Sequence, residues 1–183
     1  SENNGQSLNQ TLSSFFAGLQ DLSANPTGLP ERSSLLAEAQ NLASVFSNLG
    51  ESLFQIQQNL DSNISAEVAK INSLTSEIAA LNQSIHANEP TTFSANDLRD
   101  KRDLKIKELS ELIDLNFVDE QDGQISVTLS DGTPLVLQST AFSLDTSING
   151  DNKSFLDVEA LDAAGNSTNI TSSIGGGTLK GYL

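Results

Sequence analysis

From Leu53 onward the apolar residues fall at Leu53, Ile56, Leu60, Ile64, Val68, Ile71, Leu74, Ile78, Leu81 and Ile85. Every step is three or four residues and the mean is about 3.6, the period of an α-helix, so these ten side chains form one packing seam. The seam extends upstream through Leu35, Ala39, Leu42, Phe46 and Leu49. If continuous from Glu31 to Ala87, it describes a helix of 57 residues. At 1.5 Å per residue such a helix is roughly 85 Å long. Gly50 lies inside it at a cost of about 1 kcal/mol relative to alanine, which predicts a bend or weak point there and not a break. A rod of this length cannot bury its own apolar face, so other segments must run beside it.

The flanking sequence supplies them. Leu8, Leu12, Phe15, Phe16, Leu19 and Leu22 place a helix over about Ser7 to Ala24. It stops at Asn25-Pro26-Thr27-Gly28-Leu29-Pro30, where two prolines and a glycine interrupt the hydrogen-bond ladder. Pro30 can open the next helix, since a first-turn proline gives up an N–H that had no partner. Asn88-Glu89-Pro90 ends the rod, and Thr91 to Ala95 reads as a loop. Ser94-Ala95-Asn96-Asp97 fits a capping box. A third helix follows to about Ile113, with Leu98, Ile106, Leu109, Leu112 and Ile113 inward, turning back antiparallel along the rod.

Near Leu115 the period changes to two. Gln124 to Leu129 alternates apolar and polar, and Pro134 to Gln138 follows after Asp131-Gly132, a strong hairpin signal. Asp122-Gly123 marks the preceding turn, and Ala141–Asp145 and Phe155–Leu161 read as further strands. The expected fold class is α+β. A helical rod domain over 1–115 is followed by a small antiparallel β domain over 116–183, incomplete at its C-terminus. The absence of any methionine points the same way, to a piece of a longer protein.

Composition leaves little catalytic chemistry. Ser, Asn, Thr and Gln account for 66 of the 183 residues, Cys, Met and Trp are absent, and His86 is the single histidine. Zero cysteines exclude disulfides and thiol chemistry, and a zinc site would need three carboxylates beside one histidine. His86 falls at the end of the rod, where a cation faces the negative end of the helix dipole, and it reads as structural. Asp119-Glu120-Gln121-Asp122-Gly123 misses the calcium-loop spacing and reads as a polar turn, as does Asn149 to Asn152. Gly175-Gly176-Gly177 lacks the Lys-Ser/Thr of a phosphate loop, and no Gly-x-Ser-x-Gly elbow occurs. Six Asn-x-Ser/Thr triplets, at Asn9, Asn63, Asn82, Asn152, Asn166 and Asn169, are weak evidence for glycosylation in so Ser/Thr-rich a chain. We expect no cofactor, no metal and no enzyme activity.

The net charge is −15, which makes nucleic acid and anionic membrane poor partners. No membrane-length apolar run and no cleavable signal layout occur. Five of the nine basic residues nevertheless cluster at Arg99, Lys101, Arg102, Lys105 and Lys107, so that residues 99–107 carry +3. With no aromatics among them, pairing with the acidic remainder, between helices or between subunits, is favoured over nucleic-acid binding.

The order of elements then resembles a known family. Phe15-Phe16-Ala17-Gly18-Leu19-Gln20-Asp21-Leu22-Ser23-Ala24-Asn25-Pro26 is similar to the F-F-x-x-L-Q-x-L-x-x-N-P stretch of the flagellar hook-associated protein 1 family. Arg32, Ala39, Leu42, Ile71-Asn72-Ser73-Leu74 and Ile78-Ala79-Ala80-Leu81-Asn82 look like its long helix. Asn96-Asp97-Leu98-Arg99-Asp100-Lys101-Arg102-Asp103 resembles its N-D-L-x-D-x-R-D motif, carried by Asn96, Asp97, Leu98, Asp100, Arg102 and Asp103. Gly176 to Gly181 matches the stretch preceding its next helix. Gly50 and a longer 91–95 loop depart from the pattern.

The resemblance implies a structural subunit of the bacterial flagellum, at the hook–filament junction, outside the cell. It implies side-by-side packing with copies of itself in a ring, with hook protein below and hook-associated protein 3 above. Export through the flagellar type III apparatus without a cleaved signal is implied too, as is an export chaperone that binds regions outside this sequence. The rival readings are a hook-associated protein 3-like or flagellin-like rod, a surface adhesin, and a hydrolase carried on a flagellar scaffold. The last would need an acid/base pair that the turn-borne aspartates do not suggest.

Overall fold

Apolar periodicity and turn residues place the helices where the sequence puts them, with small differences at the ends. The computed structural model describes residues 2–88, 95–120, 122–150 and 155–183. Helix α1 is Glu2–Ala24, α2 is Leu29–Asn88 and α3 is Ala95–Leu112. α2 is a single helix of 60 residues that runs through Gly50 and holds Pro30 in its first turn. The Ser94 capping box and the 91–94 loop lie outside the described residues.

The chain divides into two units, Ser1–Gln58 and Asn59–Leu183. The change from helix to strand expected to bound a domain at Leu115 therefore falls inside the second unit. In the first unit α1 packs along the first part of α2, up to the level of Glu51. The Asn25–Gly28 turn closes with a bond from the Gly28 amide to the Asn25 carbonyl (3.0 Å). Arg32 holds it by donating Nε and Nη2 to the Pro26 carbonyl (3.2 and 2.8 Å). Gly18 faces Leu35, since a methyl there would stand in ordinary contact with it, 3.5 Å from Cδ1 and 3.7 Å from Cα.

Gly18 and Leu35 stand equally far from the two ends of the turn, so the helices run antiparallel and α1 begins level with Glu51. Leu53 and Ile56, placed on the buried seam by periodicity, lie past that level and are each 55% exposed. Phe46 is also exposed while Val45 beside it is half-buried. Two helices bury only their facing stripes, so Phe16, Leu36 and Phe54 stay in solvent as well.

The second unit carries the core. Ile64, Val68, Ile71, Leu74, Ile78 and Ile85 of α2 are buried, and Leu60 and Leu81 are half-buried. α3 runs antiparallel to them, because Lys105 meets Glu77 (3.1 Å) while the earlier Arg102 meets the later Asn82 (3.2 Å). It contributes Ile106, Leu109 and Leu112 to the same cluster, with Ile113 just beyond it.

Two antiparallel sheets complete this core. The first has the order β1 (Asn116–Asp119), β2 (Ile125–Thr128), β3 (Pro134–Leu137), β4 (Thr140–Ala141). The second has the order β5 (Leu144–Asn149), β6 (Phe155–Leu161), β7 (Ser167–Asn169). Asp131-Gly132 turns β2 into β3 with Gly132 at φ 91°, as the sequence predicts. The expected strand over 141–145 is instead split at Phe142-Ser143, where the chain leaves one sheet and enters the other. β7 escapes the periodicity because it is three exposed polar residues, placed by the Asp162–Asn166 turn and not by its own pattern.

The seam is therefore expected to be sharply graded in its cost. Ile71→Ala removes a fully buried side chain and should lower stability by about 2–5 kcal/mol, whereas Leu53→Ala should stay within about 0.5 kcal/mol. Ser44, Ser65 and Ser84 each hydrogen-bond a carbonyl one turn back in their own helix. Alanine at all three should leave the helical circular dichroism signal and its melting curve nearly unchanged.

Candidate functional site

The face between α2, α3 and the first sheet is built around a polar side chain on an apolar seam. Asn82 follows Ile78 by four residues and precedes Ile85 by three, so it shares their stripe and is fully buried. Its Nδ2 donates to the carbonyls of Ile125 (2.7 Å) and Gln138 (2.6 Å). Its Oδ1 accepts from the Ile125 amide (3.2 Å) and from Arg102 Nη1 (3.2 Å). Arg102 Nη1 also donates to the Gly123 carbonyl (2.7 Å). One amide and one guanidinium thus tie α2 and α3 to the β1–β2 turn, to β2 and to the β3–β4 turn.

That last turn needs the help. Gln138 and Ser139 form a two-residue hairpin loop, and Gln138 is held at φ 54°, a region favouring glycine or asparagine. Asn82 takes its carbonyl, and buried Gln124 reaches Ser139 Oγ (2.8 Å). Ten residues earlier on α2, Asn72 does the same for the second sheet. Its Nδ2 donates to the Leu144 carbonyl and its Oδ1 accepts the Leu144 amide, both at 2.8 Å. Asp61 Oδ1 then accepts the Leu156 amide at 3.2 Å. A carboxamide offers one donor edge and one acceptor edge, so it substitutes for a missing strand where the chain passes a helix.

Of the six motif residues, Arg102 is buried and Leu98 half-buried, while Asn96, Asp97, Asp100 and Asp103 are exposed. Burial pushes the Arg102 guanidinium down from its ordinary value, against the pull of Asp103 and Asp119. In the basic window, Lys105 pairs between helices with Glu77 and within its own helix with Glu108, both at 3.1 Å. Lys101 and Lys107 are exposed. The roles of Asn72 and Asn82 were not read from the sequence. Their available signal was an asparagine at seam spacing, a polar group on an apolar face that must find partners.

The glycine run answers a different need. Asp114, just past α3, accepts the amides of Gly175 (2.9 Å) and Gly176 (3.1 Å) and the Ser130 hydroxyl. Gly177 stands at φ 80°, and a Cβ there would lie 2.4 Å from the Leu112 carbonyl carbon. No other residue fits, and α4 (Gly177–Tyr182) begins at that point with Thr178 Oγ1 on the Glu111 carbonyl (2.9 Å). The run is an anion cradle whose anion is the protein's own carboxylate.

The remaining acids sit in turns. Asp119 ends β1, Asp122 accepts the Gln124 amide (3.1 Å) and stands 3.7 Å from exposed His86, and Asp131 accepts the Thr133 amide (2.9 Å). Gln121 and residues 151–154 lie outside the described residues, and with them part of the 119–123 and 149–152 runs. Among the described residues no group of three side chains is placed to hold a metal, and no helix is long and apolar enough to cross a membrane.

Two outcomes follow for stability. Asn82→Ala removes the partner of the Ile125 amide and of the Ile125 and Gln138 carbonyls and one acceptor of Arg102, and at about 1–3 kcal/mol per unsatisfied group the loss should reach about 3 kcal/mol or more. Asn82→Asp, equal in size, should also destabilise because it turns an oxygen toward two carbonyls, while Asn63→Ala on the exposed face should not. Urea denaturation separates the three.

The acid response has a defined sign. Partial burial of Asp114 opposes its charge, but the Ser130 hydroxyl and the two glycine amides outweigh that and hold the carboxyl below its ordinary 3.8. Asp131 is held low by the Thr133 amide and the hydroxyls of Ser173 and Thr133. A depressed carboxylate contributes its full stability above the unfolded value and loses it as pH falls through the folded one. The melting temperature should therefore drop below about pH 4, with a shallower drop in Asp114→Asn. Gly177→Ala should destabilise at every pH.

With this geometry in hand, comparison with known proteins gives a consistent result. The family model for the flagellar hook-associated protein FlgK helical domain matches residues 1–183. The chain is 33% identical over 175 residues to flagellar hook-associated protein 1 of Bacillus subtilis, covering 94% of this chain and 34% of that protein. It is 31% identical over 140 residues to the protein of the same name in Salmonella typhimurium, covering 75% and 25%. Among solved structures, the flagellar hook junction protein FlgK from Burkholderia pseudomallei superposes with a TM-score of 0.88 at 31% identity, over 96% of this chain and 32% of that one. The chain thus spans between a quarter and about a third of the length of these relatives. The family match spans the sequence, and the chain belongs to the flagellar hook-associated protein FlgK helical-domain family.

Proposed function

We propose that this chain is a structural segment of a hook–filament junction subunit and acts by packing against other flagellar subunits. The observation that carries this reading is the superposition on a flagellar hook junction protein over 96% of the chain. The chemistry is in keeping with it. The buried Asn82, Arg102 and Asp157 and the half-buried Asn72 are occupied in joining elements to one another. The acids of the β half hold turn amides in place of a convergent acid/base pair. The exposed apolar residues of the first unit, Phe16, Leu36, Phe46 and Phe54 among them, offer surface for neighbouring subunits.

In this reading the protein resides on the flagellum, outside the cell. Its partners are copies of itself in a ring, with hook protein and hook-associated protein 3 on either side. It leaves the cell by flagellar type III export without a cleaved signal, and its export chaperone binds segments beyond this sequence. An uncharged polar surface suits such a block, because Ser, Asn and Gln bond to neighbours or to water with less desolvation cost than charges.

Deletion of the gene, followed by electron microscopy of the cells, tests the reading. Hooks without filaments, with flagellin shed into the medium, are expected. Normal filaments on the deletion strain would overturn it.

A further inference from the structure

A glycine that follows asparagine or aspartate leaves its backbone nitrogen unshielded beside the side-chain carbonyl, and attack of one on the other closes a five-membered ring. The β half holds three such pairs, Asp122-Gly123, Asp131-Gly132 and Asn149-Gly150. The structure separates them. Gly123 donates its amide to the Glu120 carbonyl (3.2 Å) and Gly132 to the Leu129 carbonyl (3.0 Å), so both nitrogens are held by their turns. Their neighbours are carboxylates besides, which a nucleophile attacks poorly. Asn149 ends β5 and carries a neutral carboxamide, and among the described residues the amide of exposed Gly150 has no hydrogen-bond partner.

The work of the Asn149 carboxamide in the fold gives this reaction a consequence. Its Nδ2 donates to Asp157 Oδ2 of β6 at 2.7 Å, and Asn169 of β7 donates to the same oxygen at 2.6 Å. Asp157 is 6% exposed, so the acceptor of this three-strand clasp is shielded from bulk water. Asn149 and Asp157 stand diagonally across the ladder, since Asn149 pairs with Phe155 and Ser147 with Asp157. A carboxylate at position 149 would place two like charges where a hydrogen bond now stands. An isoaspartate would also add one carbon to the backbone at the point where the register ends.

We propose that Asn149-Gly150 is a deamidation site whose product releases the end of β5 from β6. The Gly150 nitrogen bonds to Asn149 Cγ, the Cγ–Nδ2 bond breaks, and ammonia leaves with the amide proton of Gly150. The succinimide then takes up one water at either carbonyl, giving aspartate or isoaspartate at position 149. The hydrogen bond to Asp157 holds the carboxamide back, so the step proceeds when the strand end opens.

Incubation of the purified full-length protein in warm, mildly alkaline buffer, followed by peptide mapping in a mass spectrometer, tests the reaction. Asn149 is expected to convert several-fold faster than the exposed Asn63 and Asn166, with its peptide becoming a substrate for an isoaspartyl methyltransferase. Gly150→Ala, whose added methyl meets nothing within 4 Å, should slow the conversion several-fold without lowering the melting temperature. Asn149→Asp should lower the melting temperature. Combining it with Asp157→Asn restores one donor and one acceptor and should recover most of the loss. Conversion at Asn149 no faster than at Asn63 and Asn166, or unchanged by Gly150→Ala, would overturn the site. Melting of Asn149→Asp equal to that of the parent, or no recovery in the exchanged pair, would overturn its consequence.

Discussion

The second unit depends on one buried junction, the carboxamide of Asn82 with the guanidinium of Arg102. Strands and helices each satisfy their own backbone, but a sheet laid against a helix presents loop and edge groups that neither element can pair. Asn82 supplies both a donor edge and an acceptor edge at that seam, and Arg102 brings α3 into the same network. Without them the β1–β2 turn and the Gln138 turn would face an apolar helix stripe with unmet carbonyls. Asn72 repeats the device for the second sheet. Hydrophobic burial supplies the bulk of the stabilisation, while these few bonds fix which strand residue meets which helical turn.

That division of labour accounts for the composition. A chain rich in Ser, Asn, Thr and Gln and poor in charge can place carboxamides at its seams without desolvating ions. Among the described residues Arg102 is the buried cation, and its Nη1 is directed at the Gly123 carbonyl and the Asn82 carboxamide. The polar uncharged surface and the polar junctions are the same choice made outside and inside.

The glycine run shows how context decides the meaning of a motif. Gly175 and Gly176 turn their amides on an anion, as in phosphate-binding loops, yet the anion is Asp114, 61 residues away in sequence from Gly175. Gly177 is there because Leu112 leaves no room for a Cβ. The spacing correctly excluded a phosphate loop, but it carried no information about which carboxylate the amides would meet.

Much of this was legible in the sequence, because helix and strand periods are local. Three helices, the 25–30 break, the Asp131-Gly132 hairpin and the α+β class follow from spacing within windows of ten to twenty residues, and so does the family resemblance through the motif from Asn96 to Asp103. Periodicity says that a face is apolar, not that a partner reaches it. Leu53 and Ile56 continue the same period as Ile64 and Ile71, yet they are exposed because α1 begins only level with Glu51. The roles of Asn72, Asn82 and Arg102, the switch of sheets at Phe142-Ser143 and the Asp114 cradle were decided only by the tertiary structure. Each joins residues tens of positions apart, and such a contact exists only once the chain has closed the loop between them.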